Sequence, residues 1–131
     1  MIAVVNHKGG CGKTTTAVNL GAALAMGNKE YGIKSHKILM IDLDPKGNIA
    51  TTFGVDKKSL GATMNELFKA GIDGPEVKIE ECIIGPKQLS KSMREAFTRQ
   101  NPERKRGPPK GLEIDNLWLL PADLDLAGIE I

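Results

Sequence analysis

The chain has 131 residues with 18 Lys+Arg against 16 Asp+Glu, a formal net charge of +2. This size fits a single domain, and so even a charge balance can still hide a local basic face. The 40% hydrophobic and 26% charged content excludes a disordered chain, 4% aromatics exclude rows of base-stacking rings, and two cysteines exclude a disulfide-rich scaffold. No leader opens the sequence and no apolar run reaches transmembrane length. A cytoplasmic protein without an integral membrane segment is the expectation.

Ile2, Ala3, Val4 and Val5 form a short apolar run rich in β-branched residues, which predicts a strand near residues 2–6. Asn6 and His7 lead into Lys8-Gly9-Gly10-Cys11-Gly12-Lys13-Thr14-Thr15, and a helical pattern follows with Ala17, Leu20 and Leu24 on one face beside Val18 and Ala25. Gly27 and Asn28 read as its stop. Strand, glycine-rich turn and helix in this order suit phosphate binding. Glycines curve the backbone tightly and leave no Cβ between main-chain N–H groups and phosphate oxygens. The helix start adds unpaired N–H groups and the positive end of its dipole. Lys13 places a charge against terminal phosphates, and the Thr14 hydroxyl suits Mg²⁺.

The stretch from Lys8 to Thr16, followed by Asn19-Leu20, resembles the deviant Walker A loop of the ParA/Soj chromosome- and plasmid-partitioning ATPases. MinD-type and nitrogenase iron-protein ATPases share that loop. The resemblance implies ATP and Mg²⁺ as cofactors, with Lys8, Gly9, Gly10, Cys11, Gly12, Lys13, Thr14 and Thr15 around the nucleotide. It also implies that Lys8 reaches across a nucleotide-sandwiched homodimer to the partner's phosphates. A solvated loop lysine is the alternative reading of Lys8.

Lys37-Ile38-Leu39-Met40-Ile41 stops at Asp42-Leu43-Asp44-Pro45, as a strand does when it delivers carboxylates to one edge of a parallel sheet. If the backbone stays extended, Asp42 and Asp44 share a face, and Pro45 ends the strand. Such carboxylates suit orienting water or holding Mg²⁺-bound water, and a strand-end turn is the plainer reading. The segment from Asp42 to Asn48 resembles the second motif of the partitioning ATPases, which normally carries Gln where Lys46 stands here. By that resemblance Asp44 places the hydrolytic water and, with Lys8 and Lys13, forms the catalytic set. Asp42 joins Thr14 as a candidate metal ligand or supports the phosphate loop.

Between the two motifs, Gly27 to His36 reads as an extended polar loop. Neither His7 nor His36 has a Cys or His neighbour at metal-binding spacing, and Cys11 and Cys82 make no zinc pattern. Leu60, Met64, Leu67 and Phe68 predict a short amphipathic helix before Gly71, and Lys78 to Ile84 fits a helical turn or a short strand. Met93, Ala96 and Phe97 suggest a small helix starting near Ser90, inside a polar Pro/basic insertion around 85–111. Arg99, Arg104, Lys105, Arg106 and Lys110 there suit either nonspecific phosphate contact or a solvated loop. Leu112, Ile114 and Leu117 to Leu120 mark a strand near residues 116–120, ended by Pro121-Ala122, with Asp123 capping a helix over 124–131.

These elements predict an α/β fold of the P-loop NTPase type, a mostly parallel sheet flanked by helices. Residues 1–131 would form the N-terminal part of one ATPase domain, since members of the resembled family are about twice as long. The half expected to be missing would supply the second switch strand beside the phosphate-loop strand. The resemblance implies ATP hydrolysis in a nucleotide-dependent dimer for chromosome or plasmid partitioning, with nonspecific DNA and a partition protein as partners. A truncated, non-catalytic phosphate- or partner-binding remnant and a MinD-like ATPase of another cellular role are the alternatives.

Overall fold

The computed structural model describes residues 1–72, 74 and 76–123. Two strands, β1 (Ile38–Ile41) and β2 (Leu117–Leu120), pair in parallel with Ile38 opposite Leu117 and Ile41 opposite Leu120. Helix α1 (Lys13–Met26) precedes β1, and α2 (Asn48–Thr52), α3 (Met64–Ile72), α4 (Ile79–Cys82) and α5 (Pro86–Gln100) lie between the strands. The α/β class, the parallel pairing and the flanking helices all match the sequence reading.

Side chains alternate across a strand, so the paired ribbon has two different faces. Ile38, Met40, Leu117 and Leu119 share one face, which joins Ala25, Ile49, Phe53, Ile84, Leu89 and Ile114 in the main core. Each fully buried Leu, Ile, Met or Phe side chain contributes about 1.5–3 kcal/mol. Helix α1 covers β1 closely because Gly21 faces it, and a Cβ at Gly21 would stand only 2.9 Å from Met40 Sδ. Helix α5 packs against β2 through the buried Leu89 and the partly buried Met93. On the opposite face of the ribbon, Leu39 and Ile41 are 44% and 51% exposed.

The predicted strand over 2–6 does not form. Among the described residues this run has no strand partner, and Ile2 and Val5 are 69% and 84% exposed. A strand exists only where a neighbour takes its N–H and C=O groups, and neither β1 nor β2 pairs with this run. The buried side of α1 keeps Ala17, Val18 and Ala25 of the expected stripe but not Leu20. It runs through Gly21 and Ala25, while Leu20 is turned outward.

Gly27 ends α1 as read from sequence, with a positive φ and its N–H donated to the Ala23 carbonyl at 2.9 Å. The loop after it is folded rather than extended: Asn28 and Ile33 form an antiparallel bridge. Both readings of 78–84 hold in part, since 79–82 is a helical turn and Ile84 bridges Leu119. The helix expected near Ser90 is longer and starts earlier, at Pro86, whose missing N–H costs nothing in a first turn. The helix expected over 124–131 lies outside the described residues.

Candidate nucleotide site

The glycine-rich turn is built by backbone conformation. Gly10 and Gly12 have φ of +70° and +86°, a region that L side chains rarely adopt. Gly12 is the N-cap of α1, and no side chain caps the helix. Thr16 makes the first turn's bond, donating to the Gly12 carbonyl at 2.8 Å. The preceding N–H groups at this end are therefore not satisfied by a side-chain cap, as suits an anion site. Around Gly9, Gly10 and Gly12 a Cβ would meet no protein atom within 4 Å, so open space lies over the loop.

The side chains around the turn are arranged with it. The Lys13 ammonium donates to the Lys8 carbonyl oxygen at 3.0 Å, folding its charge back over the loop. Lys8 N–H donates to Asn6 Oδ1 at 2.9 Å, which ties the loop's entry to the residue before His7. Asn19 Nδ2 donates to the Thr15 carbonyl at 2.7 Å in the first turns of α1. Thr14 is half-buried, and its hydroxyl makes no hydrogen bond among the described residues, so it is uncommitted. Cys11 is exposed.

The carboxylates after β1 are organised separately. Asp42 is 4% exposed, and its two oxygens accept the N–H groups of Asp44 at 3.0 Å and Ile49 at 3.3 Å. Asp44 Oδ1 accepts the Lys46 N–H at 3.0 Å, and its carbonyl accepts the Gly47 N–H at 2.8 Å. Lys57 closes the outside of this turn by donating its ammonium to the Lys46 carbonyl. Burial pushes the Asp42 carboxyl above its ordinary value, and the nearby Asp44 charge adds to this. The two amide bonds and the Lys57 charge pull the other way without cancelling it.

Gly47, with φ of +57°, starts α2 hard against the chain beyond β2, where a Cβ would collide with the Ala122 carbonyl. The Met64 N–H donates to the Pro121 carbonyl at 2.8 Å, so α3 starts at the same place. The carboxyl ends of β1 and β2 thus carry the acidic loop and the start of α3 together, the edge where open α/β sheets bind ligands.

Lys8 and Lys13 are in contact through the backbone, as are Asp42 and Asp44. No hydrogen bond or ion pair joins one group to the other among the described residues. Helix α1 links them, since it packs on both β1 and α2. No group of three or more His, Cys, Asp and Glu clusters among the described residues, and no helix there is long and apolar enough to cross a membrane.

Two features escaped the sequence reading. Lys57 reaches the acidic loop from eleven residues away, which no local pattern announces. Thr63-x-x-Glu66, in contrast, is a capping box: Glu66 Oε2 accepts the Thr63 N–H at 2.7 Å, and Thr63 Oγ1 accepts the Asn65 N–H at 3.2 Å. Thr63 Oγ1 also stands 2.9 Å from Asp123 Oδ2, which joins α3 to the end of the Pro-Ala segment.

A family model described as an AAA domain matches residues 1–131. Over all 131 residues the chain is 29% identical to the chromosome partitioning protein ParA of Caulobacter vibrioides and 30% identical to the sporulation initiation inhibitor protein Soj of Bacillus subtilis. It covers 35% and 37% of those proteins, about a third of their length. Among solved structures, cobyrinic acid a,c-diamide synthase from Mycobacterium smegmatis, with bound ATP analogue and magnesium, superposes with a TM-score of 0.57. That match has 27% identity and covers 95% of this chain and 35% of the synthase. The chain belongs to this AAA-domain family, the ParA/MinD-like P-loop proteins.

Proposed function

We propose that the chain is the phosphate-binding part of a ParA/Soj-like ATPase that binds and hydrolyses ATP with Mg²⁺ in a nucleotide-dependent dimer. The observation that carries this reading is the turn at Gly10 and Gly12, which opens α1 with no side-chain cap and folds the Lys13 ammonium over the loop. Phosphate oxygens would replace the Lys8 carbonyl as the partner of Lys13, and the backbone from Gly9 to Thr15 would cradle them. The uncommitted Thr14 hydroxyl fits Mg²⁺, which would neutralise charge on the phosphates. Lys8 would act in trans on the partner's nucleotide.

Asp44 would orient the attacking water, and Asp42 would hold Asp44 in place while retaining a lone pair toward the ion. Rate enhancement would be positional and electrostatic. Partitioning of a chromosome or plasmid, with nonspecific DNA and a partition protein as partners in the cytoplasm, follows from the likeness to ParA and Soj.

The unpaired run from Ile2 to Val5 favours a second reading, nucleotide or partner binding without turnover, because the strand that should stiffen the loop is not formed. Calorimetry with ATP and Mg²⁺ on the wild-type chain and Lys13→Ala, with circular dichroism as the folding control, tests both. Lys13-dependent binding followed by phosphate release supports the ATPase. Binding without release supports the second reading, and folded protein that binds no nucleotide overturns the ATPase and leaves partner binding alone.

A further inference from the structure

Lys57 and Lys58 stand side by side in one short 3-10 turn, Lys57–Ser59, yet they meet different surroundings. Lys58 is exposed, and its ammonium makes no hydrogen bond or ion pair among the described residues. Lys57 is half-buried, and its ammonium donates to the Lys46 carbonyl on the acidic loop after β1. The same nitrogen lies 3.3 Å from where a Cβ on Gly47 would stand, so it sits over the peptide joining Lys46 to Gly47. No carboxylate reaches ion-pair distance of it among the described residues. Its committed partner is backbone, and a charged donor on a carbonyl makes a bond roughly twice as strong as a neutral one.

The peptide under Lys57 is the one that holds Asp44. Its N–H, from Gly47, donates to the Asp44 carbonyl at 2.8 Å, and its carbonyl is the Lys57 acceptor. One residue back, the Lys46 N–H donates to Asp44 Oδ1 at 3.0 Å. Asp44 is therefore fixed through its carbonyl and one carboxylate oxygen, while Oδ2 accepts no hydrogen bond among the described residues. On the inner side the loop rests on Ala122 through Gly47. On the outer side Leu43, Lys46 and Asn48 are exposed, and Lys57 is what reaches over them. Lys57 is itself firmly carried. Val55 is buried and donates its N–H to the Ala50 carbonyl at 3.0 Å, and Leu60 packs against the core. Between them, Asp56 Oδ1 accepts the Lys58 N–H at 3.0 Å and the Asp56 carbonyl accepts Ser59 Oγ at 2.6 Å.

We infer that Lys57 is a positioning residue for the Asp44 carboxylate: by fixing the Lys46 carbonyl it sets the turn that aims Asp44, and it acts without touching nucleotide. This role rests on the ATPase reading, in which Asp44 orients the attacking water. A turn released on its outer side would misplace that carboxylate, and a shift of about 1 Å at a reacting group costs on the order of a hundredfold in rate. Water can replace Lys57 on an exposed carbonyl, so the loss falls on geometry and not on the fold.

The test uses the full chain, with ATP affinity read by calorimetry and phosphate release followed in single turnover at saturating ATP and Mg²⁺. Lys57→Met, which keeps most of the stem and removes the donors, should slow release about tenfold or more while ATP affinity stays within about twofold. The shorter, neutral Lys57→Gln should do the same. Lys57→Arg, which keeps a charged donor, should recover to within about threefold of wild type, and Lys58→Met should match wild type. Asp44→Asn should be slow already, and adding Lys57→Met should slow it no further, because the two act as one unit. Amide hydrogen exchange without nucleotide gives an independent readout. In Lys57→Met the Gly47 amide should exchange about tenfold faster, with β1 and β2 protected as in wild type. Normal turnover in both Lys57→Met and Lys57→Gln, a loss of ATP affinity as large as the loss of rate, or additivity with Asp44→Asn overturns the role of Lys57 alone. A wild-type chain that releases no phosphate overturns the ATPase reading and this role with it.

Discussion

Asp42 Oδ1 accepts the backbone N–H of Asp44 at 3.0 Å, so one acidic residue holds the peptide that positions the other. With Oδ2 on the Ile49 N–H, the same carboxylate spans the whole turn between β1 and α2. Removing it leaves two amide donors without an acceptor in a buried place. Asp42→Ala should therefore lose about 2–4 kcal/mol in urea unfolding. Asp42→Asn keeps the volume and one acceptor oxygen and should lose roughly half of that. An alanine variant as stable as wild type would mean that the turn holds itself through Asp44, Lys46 and Lys57.

The Asp42 and Glu66 carboxylates have opposite pH signatures. Burial dominates Asp42 and raises it above 3.8, against the Asp44 and Ile49 amides and Lys57. A raised carboxyl binds its proton more tightly when folded, so its contribution is largest below 3.8 and falls as pH rises through the folded-state value. Burial also acts to raise Glu66, but hydrogen bonds from the Thr63 hydroxyl and amide, its own amide and Asn65 outweigh it and hold it below 4.5. Its contribution is present above 4.5 and is lost as pH falls through the folded-state value. Urea midpoints from neutral to about pH 3 should show wild type gaining on Asp42→Asn as pH drops, and losing its lead over Glu66→Gln.

Much of this architecture is legible before folding because its signals are local. The run Ile38 to Ile41 stopped by Asp42, the run Leu117 to Leu120 stopped by Pro121, and the stretch from Lys13 to Gly27 each carry start, period and stop in adjacent residues. Ile2 to Val5 carries the same β-branched signal, yet strand formation is a property of two segments and no described segment pairs with this one. Leu20 fits a helix face by spacing, but which face is buried depends on where Met40 meets Gly21. The clamp of Asp42 on Ile49 and the reach of Lys57 to Lys46 are contacts across a turn, invisible to periodicity.

The glycines separate folding from ligand binding. At Gly9 a Cβ meets nothing within 4 Å and φ is not positive, so Gly9→Ala should change stability by less than about 0.5 kcal/mol. Its methyl would still occupy the space offered to phosphate, so ATP binding should weaken at least tenfold by calorimetry. Gly47→Ala is the converse, with positive φ and a collision with the Ala122 carbonyl. It should cost about 1–3 kcal/mol or more in thermal unfolding. Equal losses of stability in both variants would contradict the open loop at Gly9.

The open face of the ribbon makes a last prediction about behaviour in solution. Leu39 and Ile41 stand side by side at 44% and 51% exposure, on a strand whose edge away from β2 is unpaired among the described residues. Parallel sheets are ordinarily covered on both faces, and an apolar face beside an open edge invites association with other chains. Leu39→Thr/Ile41→Thr keeps one good β-former at each position and removes apolar surface from the open side only. It should lower concentration-dependent light scattering severalfold while changing unfolding free energy by no more than about 1 kcal/mol. The buried neighbour sets the contrast, because Met40→Thr strikes the face packed under Gly21 and should cost about 2–4 kcal/mol with no gain in solubility. If the double threonine variant unfolds as readily as Met40→Thr, the face is covered in solution rather than open.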